Sequence, residues 1–269
     1  MRRIHWLFVV IMALAFQSCG EYQKAYKSKD ATVKYQKAMQ LYAKKDYAKS
    51  VVLLEQLKDI YRRTDSLEVT YYHIAMCYFK LEDYTYASMF FKDYTDNFSK
   101  TPRTLECAYL GLYCDYMGIG PLDLDQSDTK NVIDAMQTFT NYYPDSPYTQ
   151  KCNEHIDDMR HRLQQKEYER VVQYYNMGEY KSVVTAARNS IKMYPDIQQR
   201  EELEFLTVKS QYLYAKNSIE AKRLERFQEV LVNFEDYKYN NAKNSEHYAE
   251  ALRMFEDSKV QIKKLKENL

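Results

Sequence analysis

The sequence is poor in residues that interrupt helices. Only 5 glycines and 5 prolines occur in 269 residues, which excludes collagen-like and Pro/Gly-rich disordered chains. An excess of either charge is also missing. The formal net charge is +1, and without Arg2 and Arg3 of the leader it is −1. That balance gives no electrostatic case for nucleic acid. The sequence contains no nucleophile elbow, phosphate loop or metalloprotease helix, and its cysteines form no C-x-x-C. Cys77, Cys107, Cys114 and Cys152 all fall on helical faces, where a thiol serves as a small apolar filler. They are expected to be buried and free.

What is present is helix-forming and aromatic, with 28 tyrosines. The clearest stretch runs from Glu68 to Thr101. Tyr71, Ile74, Ala75 and Tyr78 share one helical face, and Ala87, Phe91 and Tyr94 share another. A short turn, Leu81-Glu82-Asp83, separates them. The spacing is that of a tetratricopeptide hairpin. One hairpin cannot bury its own apolar faces, so neighbours are required.

The same pattern recurs along the chain. A first hairpin spans residues 31–64, with its turn at Asp46-Tyr47. A third begins at Leu105 and is interrupted by Gly118-Ile119-Gly120-Pro121 and a loop; Asp128 is expected to cap its second helix. Tyr148 to Gln165 reads as a linking helix. A fourth hairpin starts near Arg170, a degenerate fifth runs from about Leu203 to Phe234, and a Lys-rich terminal helix covers His247 to Leu269. The fold class is therefore all-α, a tetratricopeptide-repeat superhelix of about five hairpins plus a C-terminal helix. Residues 31–165 hold repeats one to three with the long loop 118–127 and the linking helix. Residues 166–269 hold repeats four and five and the capping helix.

Residues 1–18 read as a secretory signal: Arg2 and Arg3, then an apolar run from Trp6 to Phe16. That run is shorter than the roughly 20 residues a membrane-spanning helix needs. It ends at Ser18-Cys19-Gly20, which resembles a lipobox with Cys19 as the acylated residue. Gly20, rather than Asp, after the cysteine favours the outer membrane by the sorting rule of Gram-negative lipoproteins. The polar segment 19–30 is expected to be a tether.

Two further candidate sites follow from spacing. Asp123, Asp125, Ser127, Thr129, Asn131 and Asp134 have the oxygen spacing of a calcium loop. Asp128 stands where that loop needs glycine, however, and Asp134 where a bidentate Glu is usual, so the stretch reads as a solvated loop. His155 and His161 lie on different helical faces and match no zinc pattern. No metal and no cofactor is expected. In such a repeat the first helix of each hairpin lines the inner face. Tyr35, Met39 and Tyr42 occupy it in the first hairpin, and Tyr72, Met76, Phe79 and Lys80 in the second. An aromatic, Met-lined surface with a lysine suits an extended peptide and its carboxylate, although the same aromatics could simply pack on neighbouring helices.

The lipobox, the five hairpins, the loop in the third, and the run Tyr143-Pro144-Asp145-Ser146-Pro147-Tyr148-Thr149 through Tyr174-Tyr175 together resemble the BamD family of outer-membrane assembly lipoproteins. The resemblance implies a non-enzymatic scaffold, lipid-anchored at the periplasmic face of the outer membrane. Its implied partners are a BamA-like barrel subunit and unfolded outer-membrane proteins, with other assembly lipoproteins as further candidates. The C-terminal hairpins would dock the barrel subunit, and Arg188, Lys192, Lys222, Arg223 and Arg226 are the charged residues there. The family's docking arginine aligns with Ala186, with Arg188 close by. The competing readings are a surface or periplasmic lipoprotein that binds nutrients or other envelope proteins, and an envelope enzyme with accessory repeats. The single tryptophan argues against the first, and the lack of a leftover catalytic domain against the second.

Overall fold

The computed structural model describes residues 20–267, so Cys19 and the leader lie outside the described residues. Regular structure among the described residues is entirely helical, and the fold is the all-α, tetratricopeptide-type array expected from the sequence. A short helix α1 covers residues 20–27. It is followed by α2 (Ala31–Ala43), α3 (Tyr47–Ile60), α4 (Ser66–Lys80), α5 (Tyr84–Asn97), α6 (Thr104–Met117) and α7 (Ser127–Tyr142). Then come α8 (Thr149–Asn176), α9 (Tyr180–Met193), α10 (Arg200–Lys216), α11 (Glu220–Asn240) and α12 (Tyr248–Glu267). The chain forms two compact units. One holds the residues up to Gly120 together with Ser127–Ile156, and the other holds Pro121–Gln126 and the residues from Asp157 on.

The first unit stacks its hairpins through small residues. Ala38, Ala75 and Ala87 are fully buried and let facing helices close on Leu53, Leu54, Leu57, Ile74 and Phe91. At Gly111 of α6 a β-carbon would already touch that of Phe91 at 3.4 Å, so glycine keeps α5 and α6 close. The four cysteines are buried and free. Burial raises the thiol pKa to about 12 at Cys77, Cys107 and Cys114 and to about 11 at Cys152.

Three turns close in one way. Asp46, Asp83 and Glu179 each donate their backbone N–H five residues back, to Leu41, Tyr78 and Tyr174, at 2.9, 3.0 and 3.0 Å. The residue before each has a positive φ: Lys45 at 62°, Glu82 at 59° and Gly178 at 76°. This is the Schellman closure of a helix C-terminus. Asp46 and Asp83 then cap the next helix with their side chains, accepting from the backbone N–H of Lys49 and Tyr86.

The second unit has two core clusters. Val171, Val183, Ala187 and Leu203 join α8, α9 and α10, while Phe205, Phe227, Phe234 and Tyr237 join α10, α11 and α12. In the loop, Gln126 donates to the carbonyls of Pro121 and Leu124, both at 3.0 Å, and Lys166 donates to Leu124 O.

Several boundaries differ from those read in the sequence. The linking helix and the first helix of the fourth hairpin are one 28-residue helix, α8, and Gln165 lies inside it. Lys166-Glu167-Tyr168-Glu169 contains no helix breaker, and Leu163 and Val171 are both buried, so nothing interrupts the helix there. Helix α7 begins at Ser127, which puts Asp128 in the first turn rather than at the cap. Thr129, Asn131 and Asp134 lie on α7, as a cap at Asp128 already implied. The segment expected to be a tether is helical over 20–27 and packs on the first hairpin, because Ala25 is buried in its core.

Candidate functional site

The first unit presents a row of rings on its first helices. Tyr35, Met39, Tyr42, Tyr72, Met76 and Phe79 are all half-buried, and all but Met39 pack against the core cluster. They serve the core with one side and keep the other accessible. The ring of Tyr42 meets His73 edge-on at 5.2 Å, and His73 meets Tyr72 at 5.5 Å. The Arg103 guanidinium lies over the Tyr72 ring at 4.9 Å. Its Nη1 reaches both carboxylate oxygens of Glu68 at 3.2 Å, which holds it there. Phe79 contacts Tyr113 of α6 at 6.0 Å, and Tyr113 contacts His155 of α8 at 5.4 Å. Lys80 is exposed, with its ammonium 5.5 Å from the Phe79 ring, and has no ion pair among the described residues.

Electrostatics on this face follow burial. Burial pushes the Tyr72 phenol up to about 12 and holds His73 below its ordinary pKa. The Nδ1–H of His73 donates to Val69 O at 2.8 Å, which opposes that lowering without overcoming burial. The face is thus aromatic and neutral between two cations, Arg103 and Lys80.

His73, Arg103 and Tyr113 were not singled out from the sequence, and His155 was weighed there only as a metal ligand. Arg103 is drawn into the row by Glu68, 35 residues away, and such pairs leave no local signal. Tyr113 and His155 sit at first-helix positions of later hairpins, and the registry of the first two would have reached them.

In the second unit the five charged residues divide into two groups. Arg223 donates from Nε to Ser218 O at 2.9 Å. Arg226 donates to the Ser218 hydroxyl and stacks on Tyr214 at 3.9 Å. Lys222 pairs with Glu225 at 3.4 Å. Arg223 and Arg226 close the turn between α10 and α11, while the Lys222 pair lies on the exposed start of α11. Arg188 and Lys192 instead line a cavity of about 350 Å³ with Arg200, Glu204, Asn233 and Tyr239. Arg188 donates to Oδ1 of buried Asn233, whose Nδ2 has no hydrogen-bond partner. Neither Arg188 nor Lys192 has a carboxylate partner among the described residues. The cavity therefore holds two cations without an ion pair, beside the Arg200–Glu204 pair and the carboxylate of Asp236.

Neither surface carries a nucleophile–base pair. Among the described residues no group of His, Cys, Asp or Glu is placed to hold a metal ion, and no helix is long and apolar enough to cross a membrane. No curated protein matches the chain. A protein family does: the sequence matches YfiO, described as outer membrane lipoprotein, over residues 27–224. The match takes in four hairpins and the first helix of the fifth, from α2 to the start of α11. With a match over that span, the chain belongs to the YfiO family of BamD-like outer membrane lipoproteins.

Proposed function

We propose that the chain is a non-enzymatic scaffold of outer-membrane β-barrel assembly, acylated at Cys19 and facing the periplasm. The family match over residues 27–224 carries this reading. In it the second unit docks the periplasmic part of a BamA-like barrel subunit. Arg188 and Lys192 are the contact residues, since both line the cavity and neither is in an ion pair among the described residues. Arg223 and Arg226 support that surface from behind by closing the α10–α11 turn. The first unit receives an extended segment of an unfolded barrel protein. Tyr35, Tyr42, Tyr72, Met76 and Phe79 offer it apolar edges, and Lys80 meets its terminal carboxylate.

The experiment is a pull-down of the barrel subunit by the full chain. Arg188→Glu with Lys192→Glu should abolish capture, while Lys222→Glu, on the same unit, leaves it intact. Full capture by the folded double variant would put the docking surface elsewhere.

A further inference from the structure

The amino-terminal segment is fixed to the fold by a buried lysine. Lys34 of α2 is only 3% exposed, and its ammonium donates to Ala25 O at 3.2 Å and Tyr26 O at 2.8 Å. It also donates to Gln56 Oε1 on α3. The two carbonyls belong to the last turn of α1, whose acceptors favour a cation, and Ala25 O also accepts from the Ser28 N–H at 3.2 Å. Ala25 is 2% exposed beneath this contact, and Tyr22 packs beside it. At the other end of α1, Glu21 pairs with Lys37 at 2.7 Å. The connection to α2 is tight: the Asp30 backbone N–H donates to Ser28 Oγ at 3.1 Å, and the Asp30 carboxylate caps α2 by accepting from Thr32 N–H at 2.8 Å. The chain is helical from residue 20, the first described residue. A flexible linker of 11 residues would wander by about 18 Å; here that slack is absent.

The charge around this helix is one-sided. Residues 20–49 contain eight lysines against three carboxylates, a net +5. Residues 50–269 contain 29 basic residues against 35 acids, a net −6. Two of the three local acids are already engaged, Glu21 by Lys37 and Asp46 by Lys49 at 2.9 Å. Lys24, Lys27, Lys44 and Lys45 are exposed. Lys44 and Lys24 lie near enough to Glu21 to act on its charge, so the turn between α2 and α3 sits beside α1.

We propose that α1 and the α2–α3 turn form a membrane-facing surface, with Lys24, Lys44 and Lys45 against the lipid phosphates of the leaflet that holds the anchor. It rests on the acylation of Cys19 proposed above. Acyl chains set the distance to the membrane; the clamped helix and the lysines set the orientation. The first hairpin is then held at one fixed attitude on the bilayer. Lipid phosphate is the fitting partner because the charge excess is continuous with the residue that enters the membrane.

The test separates the surface from the anchor. Residues 19–269 with Cys19→Ala, which carry no lipid, are sedimented with two vesicle preparations. One is phosphatidylcholine alone; the other contains about a third phosphatidylglycerol. Binding is expected only to the anionic vesicles. Lys24→Glu, Lys44→Glu and Lys45→Glu together should weaken it by about a hundredfold, the scale for three lysines at an anionic surface. Glu82, in the same left-handed turn position as Lys45, shows that a glutamate fits there. Reversing Lys222, Lys263 and Lys264 should leave binding unchanged. Failure of the unreversed chain to bind anionic vesicles, or full binding by the Lys24/Lys44/Lys45 variant, overturns the surface. The acyl mass of the native protein tests the anchor independently. Hydrogen exchange tests the clamp: α1 amides should be protected in the native chain and lose protection in Lys34→Met while α2 and α3 keep theirs. Unprotected α1 amides in the native chain would overturn it.

Discussion

The phenol of Tyr94, at the end of α5, donates a hydrogen bond to the carboxylate of Glu68, at the start of α4. Arg103, just before α6, grips the same carboxylate, so one acid ties three successive helices. The second unit repeats the device. Tyr237 of α11 donates to Glu201 of α10, and His247, just before α12, reaches Glu201 at 2.9 Å. Both phenols are held well above their ordinary pKa, first by burial and then by the carboxylate acceptor.

Removing the phenol leaves a half-buried carboxylate short of a donor. Tyr94→Phe should cost about 1–3 kcal/mol, and Tyr237→Phe a similar amount. Urea titrations followed by circular dichroism would measure both. A cost near zero would mean that Arg103 and His247 hold the acids alone.

Glu201 also gives the second unit a defined acid limit. Burial raises its pKa, but the hydrogen bonds from Tyr237 and His247 outweigh that, and it ends below 4.5. A depressed folded pKa means the unfolded chain takes up the proton first. The stabilisation is full above pH 4.5 and is lost as pH falls through the folded value. His73 acts in the same direction at higher pH: burial lowers its pKa from 6.5, so stability starts to fall as pH drops below 6.5. Glu201→Gln should flatten the acid limb of a melting-temperature profile, and His73→Gln the limb just below neutrality.

The hairpin cores were legible in the sequence, and much of the rest was not. Ile74, Ala75, Ala87, Phe91 and Tyr94 announce themselves by helical spacing, and all five are fully buried. The aromatic row was legible in part, because Tyr42, Tyr72 and Phe79 sit beside those packing positions. Lys34 was not, since a lysine in a polar stretch reads as solvated and its acceptors are backbone carbonyls. The continuity of α8 was hidden by a hairpin pattern that restarts near Arg170. Arg223 and Arg226 read as free charge until Ser218 and Tyr214 are seen to hold them.

The thiols report on both fold and anchor. Cys77, Cys107, Cys114 and Cys152 are buried with pKa values raised to between about 11 and 12, so native protein at pH 8 should resist alkylation. In denaturant the mature protein should alkylate at four cysteines and not five, because acylation occupies the Cys19 sulfur. Mass spectrometry counts the adducts. Five adducts on protein taken from membranes would remove the anchor.

The last prediction concerns the aromatic face. An extended peptide with a terminal carboxylate needs an apolar edge and a nearby cation, and Phe79 with Lys80 supply both within one turn of α4. Phe79 also packs on Phe91 at 6.3 Å and Tyr84 at 6.2 Å, so alanine there would damage the core. Leucine keeps most of that packing while removing the ring. Phe79→Leu with Lys80→Glu should therefore weaken binding of a barrel protein's C-terminal peptide by about tenfold or more, since a charge-assisted contact is worth roughly 1.5–3 kcal/mol. Blocking the peptide's carboxylate as an amide should weaken the native chain similarly and the double variant little, because the two changes remove the same contact. Titration calorimetry would read both arms, with helicity followed alongside. Equal sensitivity of native and variant chains to the amide would move the carboxylate away from Lys80, to Arg103 at the far end of the row.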